Sequence, residues 1–209
     1  MSPTIWQDSL TSHKQRQREH ILRAAADLIT EQGAANVAMS ALARRAGVAR
    51  ATLYNYFPDI ERVIAALVAD QAARFRQRLD QNLAQASSQL ERLRRYLVAV
   101  HDWADQRGRS HAGQRDGAGR LSPHLLAVIH EPLTDLRELL TAILTDGVTQ
   151  QTFAADIDPP LHARLILNLL TDPTAAGPAA RNHLVRFIER GLTAPGGTHH
   201  RRDETGGTG

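Results

Sequence analysis

The chain has 209 residues, 42% of them hydrophobic and 22% charged, which suffices for one or two domains around a buried core. It contains no cysteine, which excludes disulfide scaffolds, cysteine-based zinc sites and thiol nucleophiles and points to a reducing, cytoplasmic home. Net charge is only +3, but seven basic side chains face four acidic ones in residues 1–58, whereas five arginines oppose eight acids in 121–190. A polyanionic partner is therefore expected at the front. Only Lys14 among the 25 basic residues is lysine, so the choice of arginine at any one site carries little meaning. The opening MSPTIWQDSLTSHK lacks the apolar stretch of a secretory signal, and no apolar run approaches the roughly 18 residues of a membrane span.

Strand signals are nearly absent and helical periodicity recurs throughout, so the fold class is predicted to be all-α. Residues 1–14 read as a flexible arm. Ile21, Ala24, Leu28 and Ile29 predict a helix from about 15 to 32, stopped by Gly33. Ser40 is placed to cap a short helix over 40–46, which Gly47 ends, and a second short helix over about 50–56 follows. Pro58 stops that one, and Asp59 caps a long helix over 59–83. Leu90, Leu93, Leu97, Val100 and Ala104 mark the stripe of the next. The segment GRSHAGQRDGAGR, 108–120, reads as a loop or weak helix. Ser122 and Pro123 open another helix, which Pro132 is expected to kink or split before it resumes as LTDLRELLTAIL. Asp158 with two prolines starts a helix over 159–172, TDPTAAGPAA forms a loop, and 179–192 is the last helix. The tail, 195–209, is too polar and glycine-rich to fold.

Three of the nine aromatics, Tyr54, Tyr56 and Phe57, fall within four positions. One helix face cannot bury neighbours that close together. Two short helices joined by a glycine turn and packed on a preceding amphipathic helix match a helix-turn-helix. Leu42, Ala43 and Ala46 point inward from the first, and Val48, Leu53 and Phe57 from the turn and second. Arg44 and Arg45 are left outside, as are Arg50, Ala51, Thr52, Tyr54, Asn55 and Tyr56. Tyrosine and threonine hydroxyls can donate to phosphate, while arginine reads guanine and asparagine reads adenine. Ala51, being small, lets the helix approach the bases.

The run SALARRAGVARATLYNYFPDIERVIAALV closely resembles the helix-turn-helix of the tetracycline-repressor (TetR) family of bacterial regulators. The resemblance extends to the helix layout and, more weakly, to FAADIDPPLHARLILNLL and LVRFIERGL near the end. It implies a DNA-binding domain over 15–58 and a helical effector-binding and dimerisation domain over 59–194. It also implies phosphate contacts by Ser40, Thr52, Tyr54 and Tyr56, and places Arg50, Ala51 and Asn55 toward bases. Arg44 joins this set as an outward cation. The chain departs from the pattern at Ile60, where the family usually carries a lysine on the DNA backbone; Arg62 is the nearest substitute. Lys14, Arg16 and Arg18 in the arm are positioned to enter a minor groove.

The helix over 159–172 has leucines around most of its circumference and must be buried on more than one side. The resemblance makes the second partner another copy of the chain, through helices 159–172 and 179–192. Such a dimer reads a pseudo-palindromic operator of double-stranded DNA. A small apolar or amphipathic effector is expected in the middle helices, with Tyr96, His101, Trp103, His124 and His130 as candidate contacts, and it releases a repressor from its operator. The histidines lack metal-site spacing, so neither metal nor other cofactor is expected; His199 and His200 are a weak metal hint only. An enzyme is disfavoured because no catalytic motif stands out. A helical adaptor that no longer binds DNA has Ile60 as its best support.

Overall fold

The structure is a computed structural model, and it describes residues 4–111 and 123–193. The predicted tail, most of the 108–120 segment, His199 and His200 lie outside the described residues. The described residues form eight α-helices: α1 Thr4–Gln32, α2 Met39–Arg45, α3 Arg50–Tyr56, α4 Ile60–Ala84, α5 Gln89–His111, α6 Pro123–Thr149, α7 Pro159–Leu170 and α8 Pro178–Thr193. Two three-residue 3₁₀ turns, Ala34–Asn36 and Pro173–Ala175, complete the described elements, and no strand occurs among them. The all-α prediction holds.

Two predicted details are corrected. The first helix begins at Thr4, where a flexible arm to residue 14 was predicted. Residues 4–32 contain neither proline nor glycine, so nothing interrupts propagation backward from the buried face at Ile21. Pro132 does not split its helix: α6 runs through it without a break. A mid-helix proline costs about 3 kcal/mol, but α6 packs against α4, α5 and α7, and that burial holds it together. Asp59 and Asp158 cap α4 and α7 as their sequence positions suggest, accepting from the Arg62 and Leu161 amides at 2.8 and 3.0 Å.

The apolar side chains form two cores. One gathers Ile21, Ala25, Leu28, Leu42, Leu53, Phe57, Val63 and Leu67 from α1 to the start of α4. The other gathers Phe75, Leu79 and Leu83 of α4 with the inner faces of α5 to α8. Helix α4, 25 residues and so about 38 Å long, is thus built into both. The first core draws on Val63 and Leu67, beyond the boundary predicted at residue 58. Bidentate ion pairs tie α5 to α8: Arg94 with Glu189 at 2.6 and 2.9 Å, and Arg181 with Asp102 at 2.9 Å.

Candidate nucleic-acid interface

The turn between α2 and α3 is set by three residues, Ala46, Gly47 and Val48. Gly47 has φ +60, the left-handed conformation that glycine adopts without penalty. Its amide donates to the Arg44 carbonyl at 3.2 Å, and the Val48 amide donates to the Ala43 carbonyl at 3.1 Å. This is the paired bond pattern that closes a helix C-terminus. From α1, His20 Nε2 bonds the Ala46 carbonyl at 3.1 Å and pins the same turn. Leu53 and Phe57 then sink into the core, at 0% and 4% exposure, and orient α3.

That orientation leaves Arg50, Ala51, Tyr54 and Asn55 exposed on α3, with Thr52 and Tyr56 half-buried beside them. Tyr54 is 53% exposed, a large share for an aromatic side chain. Arg44 is exposed on α2. Arg45 is exposed too, but Glu31 of α1 holds its guanidinium at 2.8 and 2.6 Å. That hydrogen bond draws the Glu31 carboxyl below the usual carboxylate range.

Ser40 is not the cap of α2. Ala38 occupies that position, two residues earlier, and has no polar side chain to offer; the helix starts at Met39 and places Ser40, half-buried, in its first turn. Tyr56 has an internal partner: its hydroxyl donates to Gln17 Oε1 on α1 at 3.0 Å while its ring lies against the core. Lys14, Arg16 and Arg18 belong to α1 rather than to an arm, and the Arg18 guanidinium sits 5.8 Å from the Phe57 ring centre. Ile60 is half-buried against the same core, which accounts for an apolar residue there. Gln17, His20 and Glu31 escape sequence reasoning because their partners lie 14 to 39 positions away.

Among the predicted effector contacts whose side chains are described, Tyr96, His101 and Trp103 do not line one cavity. Tyr96 is fully buried, its hydroxyl donates to the Leu136 carbonyl at 2.7 Å, and burial pushes its phenol far above the ordinary range. It is a core residue. Trp103 stacks on Phe75 with ring centres 5.0 Å apart, and the Arg107 guanidinium lies 4.7 Å from its ring. Trp103 borders a cavity of about 280 Å³ between α4, α5 and α6, with Ala69, Ala72 and Ala73 along one wall and Arg76, Glu131 and Asp135 charged. His101 borders a different cavity. The side chains of His124 and His130 lie outside the described residues.

On the far side, α7 presents Leu161, Leu165 and Leu169 at 40%, 49% and 40% exposure, and α8 presents Phe187 at 61%. Their spacing of four along α7 makes one stripe. No described helix is long and apolar enough to cross a membrane.

Comparison with known proteins covers both halves. A family model described as bacterial regulatory proteins, tetR family, matches residues 21–67, and one described as tetracyclin repressor-like, C-terminal domain, matches residues 86–175. The chain is 24% identical to the fatty acid metabolism regulator protein of Bacillus subtilis, over 73% of this chain and 78% of that one. It is 26% identical to the HTH-type transcriptional repressor KstR2 of Mycolicibacterium smegmatis, over 71% and 73%. The crystal structure of FadR from Bacillus subtilis in complex with stearoyl-CoA superposes with a TM-score of 0.68 at 22% identity, covering 83% of this chain and 98% of that one.

Proposed function

The chain belongs to the TetR family of bacterial transcriptional regulators, and from that premise we propose that it is a cytoplasmic repressor that binds a pseudo-palindromic operator as a homodimer and leaves it when a small molecule binds. The observation that carries this reading is the exposed face of α3. Arg50, Ala51, Tyr54 and Asn55 stand outward on a helix whose turn and inner face are otherwise fixed. In this role Arg50 and Asn55 address base edges, and Thr52 and Tyr54 hold phosphates. Arg44 adds charge, and Ser40 and Tyr56 flank the contact. Tyr56 reaches phosphate only by giving up its bond to Gln17.

Dimerisation uses the leucine stripe of α7 with Phe187 of α8, since a row of large apolar side chains in water is otherwise unfavourable. The effector site is the Trp103 cavity. Its alanine and aromatic walls with a charged rim suit an amphipathic molecule. A relative named as a fatty acid metabolism regulator is consistent with this class of effector, and one named as a repressor is consistent with repression. The cavity's 280 Å³ takes only part of a long acyl chain, so such a ligand has to part α4 from α6. Because α4 is rooted in both cores, that displacement reaches the reading heads. A ligand releases DNA only through differential affinity for the two shapes, with coupling of about 1–3 kcal/mol typical.

Selection of bound duplexes from random DNA tests the reading. Enrichment of an inverted repeat with half-sites about one helical turn apart, or somewhat more, is expected. Failure to enrich any sequence overturns it in favour of the adaptor.

A further inference from the structure

Helix α3 has seven residues, too few to be stable as a helix by itself or to hold a fixed tilt. Its neighbour α1 meets the α2–α3 unit at two points. At the turn, His20 Nε2 lies 3.1 Å from the Ala46 carbonyl oxygen. At the far end of α3, the Tyr56 hydroxyl donates to Gln17 Oε1 at 3.0 Å, and the Arg18 guanidinium stands 5.8 Å from the centre of the adjoining Phe57 ring. Gln17 and His20 are three positions apart, so both project from one side of α1. Among the described hydrogen bonds, the one from Tyr56 to Gln17 alone joins a side chain of α3 to another helix.

A tyrosine hydroxyl has one hydrogen, and here Gln17 receives it. A phosphate oxygen only accepts. While the bond to Gln17 stands, the Tyr56 hydroxyl therefore has no hydrogen to give to a DNA backbone. The Tyr56 ring rests against the first core and the residue is half-buried. Tyr54, two positions earlier, differs: it is 53% exposed and belongs to neither core. The two tyrosines that flank Asn55 thus have unlike surroundings, one open to solvent and one tied inward to α1.

We propose that Gln17 is a positioning residue for DNA recognition: it holds Tyr56, and through it the end of α3, at the tilt that presents Arg50, Ala51 and Asn55 to base edges. Tyr56 keeps this bond in the complex and acts as a strut, while Tyr54 takes the phosphate. The inference rests on the duplex-reading role of α3 proposed above, and it replaces the phosphate contact that the family resemblance implies for Tyr56. A strut acts on discrimination between sequences, because base contacts depend on tilt, whereas a lost phosphate contact weakens all duplexes alike.

The test measures, by fluorescence anisotropy, the affinity of the full chain for the selected inverted repeat and for a scrambled duplex, with thermal unfolding to check the fold. Gln17→Met keeps the length of the side chain and removes the acceptor. It is expected to cut the preference for the repeat about three- to tenfold, the worth of one hydrogen bond, and to change affinity for the scrambled duplex by less than about twofold. Tyr56→Phe is expected to do the same, and the double variant to lose no more than either alone. Gln17→Glu retains an acceptor, so it is expected to weaken both duplexes through its charge and to keep the preference. In the wild type with ¹³C-labelled tyrosine, the Cζ resonance of Tyr54 is expected to shift when the repeat is added and that of Tyr56 to stay, a result independent of whether any variant folds. With a wild type that prefers the repeat, an unchanged preference in Gln17→Met, additive losses in the double variant, or a Tyr56 Cζ that moves as Tyr54 does overturns the proposal and leaves the reading of α3 intact. A wild type without preference overturns both.

Discussion

Replacing Leu165 at the middle of the α7 stripe is the sharpest way to ask whether that face meets a second copy. Burying a whole leucine side chain is worth about 1.5–3 kcal/mol. Leu165 retains 49% exposure in the single chain, so covering the remainder contributes about 1 kcal/mol. A two-fold interface uses the residue twice, giving about 2 kcal/mol, or roughly thirtyfold in the dimer Kd. Leu165→Ala is therefore expected to weaken dimerisation about ten- to thirtyfold. Leu165→Glu is expected to do more, because each carboxylate must also lose its water. Sedimentation equilibrium measures the Kd, and far-UV circular dichroism checks the fold, which an exposed position leaves intact. A Leu165→Glu protein that dimerises with the wild-type Kd refutes the assignment.

Further outcomes follow from the same geometry. Gly47→Ala meets no atom within 4 Å but must hold φ +60, so it is expected to lower stability by about 1–2 kcal/mol through backbone strain alone. Gly47→Asn is expected to lower it less, and thermal unfolding reads both. Arg44→Ala is expected to weaken DNA binding and reduce the salt slope by about one, whereas Arg45→Ala changes that slope less because Glu31 already holds its charge. Glu91 accepts from the Ser87 hydroxyl, the Ser87 amide and Arg95, which brings its carboxyl from 4.5 down to about 2. A depressed carboxylate stabilises the fold above its unfolded value and loses that contribution as pH falls toward the folded one. Glu91→Gln is thus expected to flatten the acid loss of stability between pH 4.5 and about 2, as followed by denaturant melts.

What the sequence disclosed was local, and what it hid was long-range. Gly47, Pro58, Asp59 and Asp158 mark helix ends through chemistry confined to a few neighbouring residues, and the structure places ends beside each. The outward position of Tyr54 and the inward positions of Leu53 and Phe57 follow from helical period alone. Ser40 is not the cap because helix boundaries shift by one or two residues when packing favours it, here from Ser40 to Ala38. Pro132 does not split α6 for a related reason: local propensity is outweighed by three neighbouring helices. The partners of Tyr56 and Arg45 lie on α1, far away in the chain, and no periodic signal connects them. Residue type alone does not say which effector candidates share a cavity: of those whose side chains are described, Tyr96 lies in the core and Trp103 and His101 border separate cavities.

The central claim is that the exposed face of α3 reads a duplex. Fluorescence anisotropy with DNA from directly upstream of the chain's own gene, run from 50 to 200 mM salt with wild type and Tyr54→Ala, tests it most directly. The wild type is expected to prefer that duplex over a scrambled one and to lose roughly 10³–10⁵ in affinity across the salt range, as for 6–10 phosphate contacts, while Tyr54→Ala loses binding. Equal affinity for both duplexes, or undiminished binding by Tyr54→Ala, contradicts it.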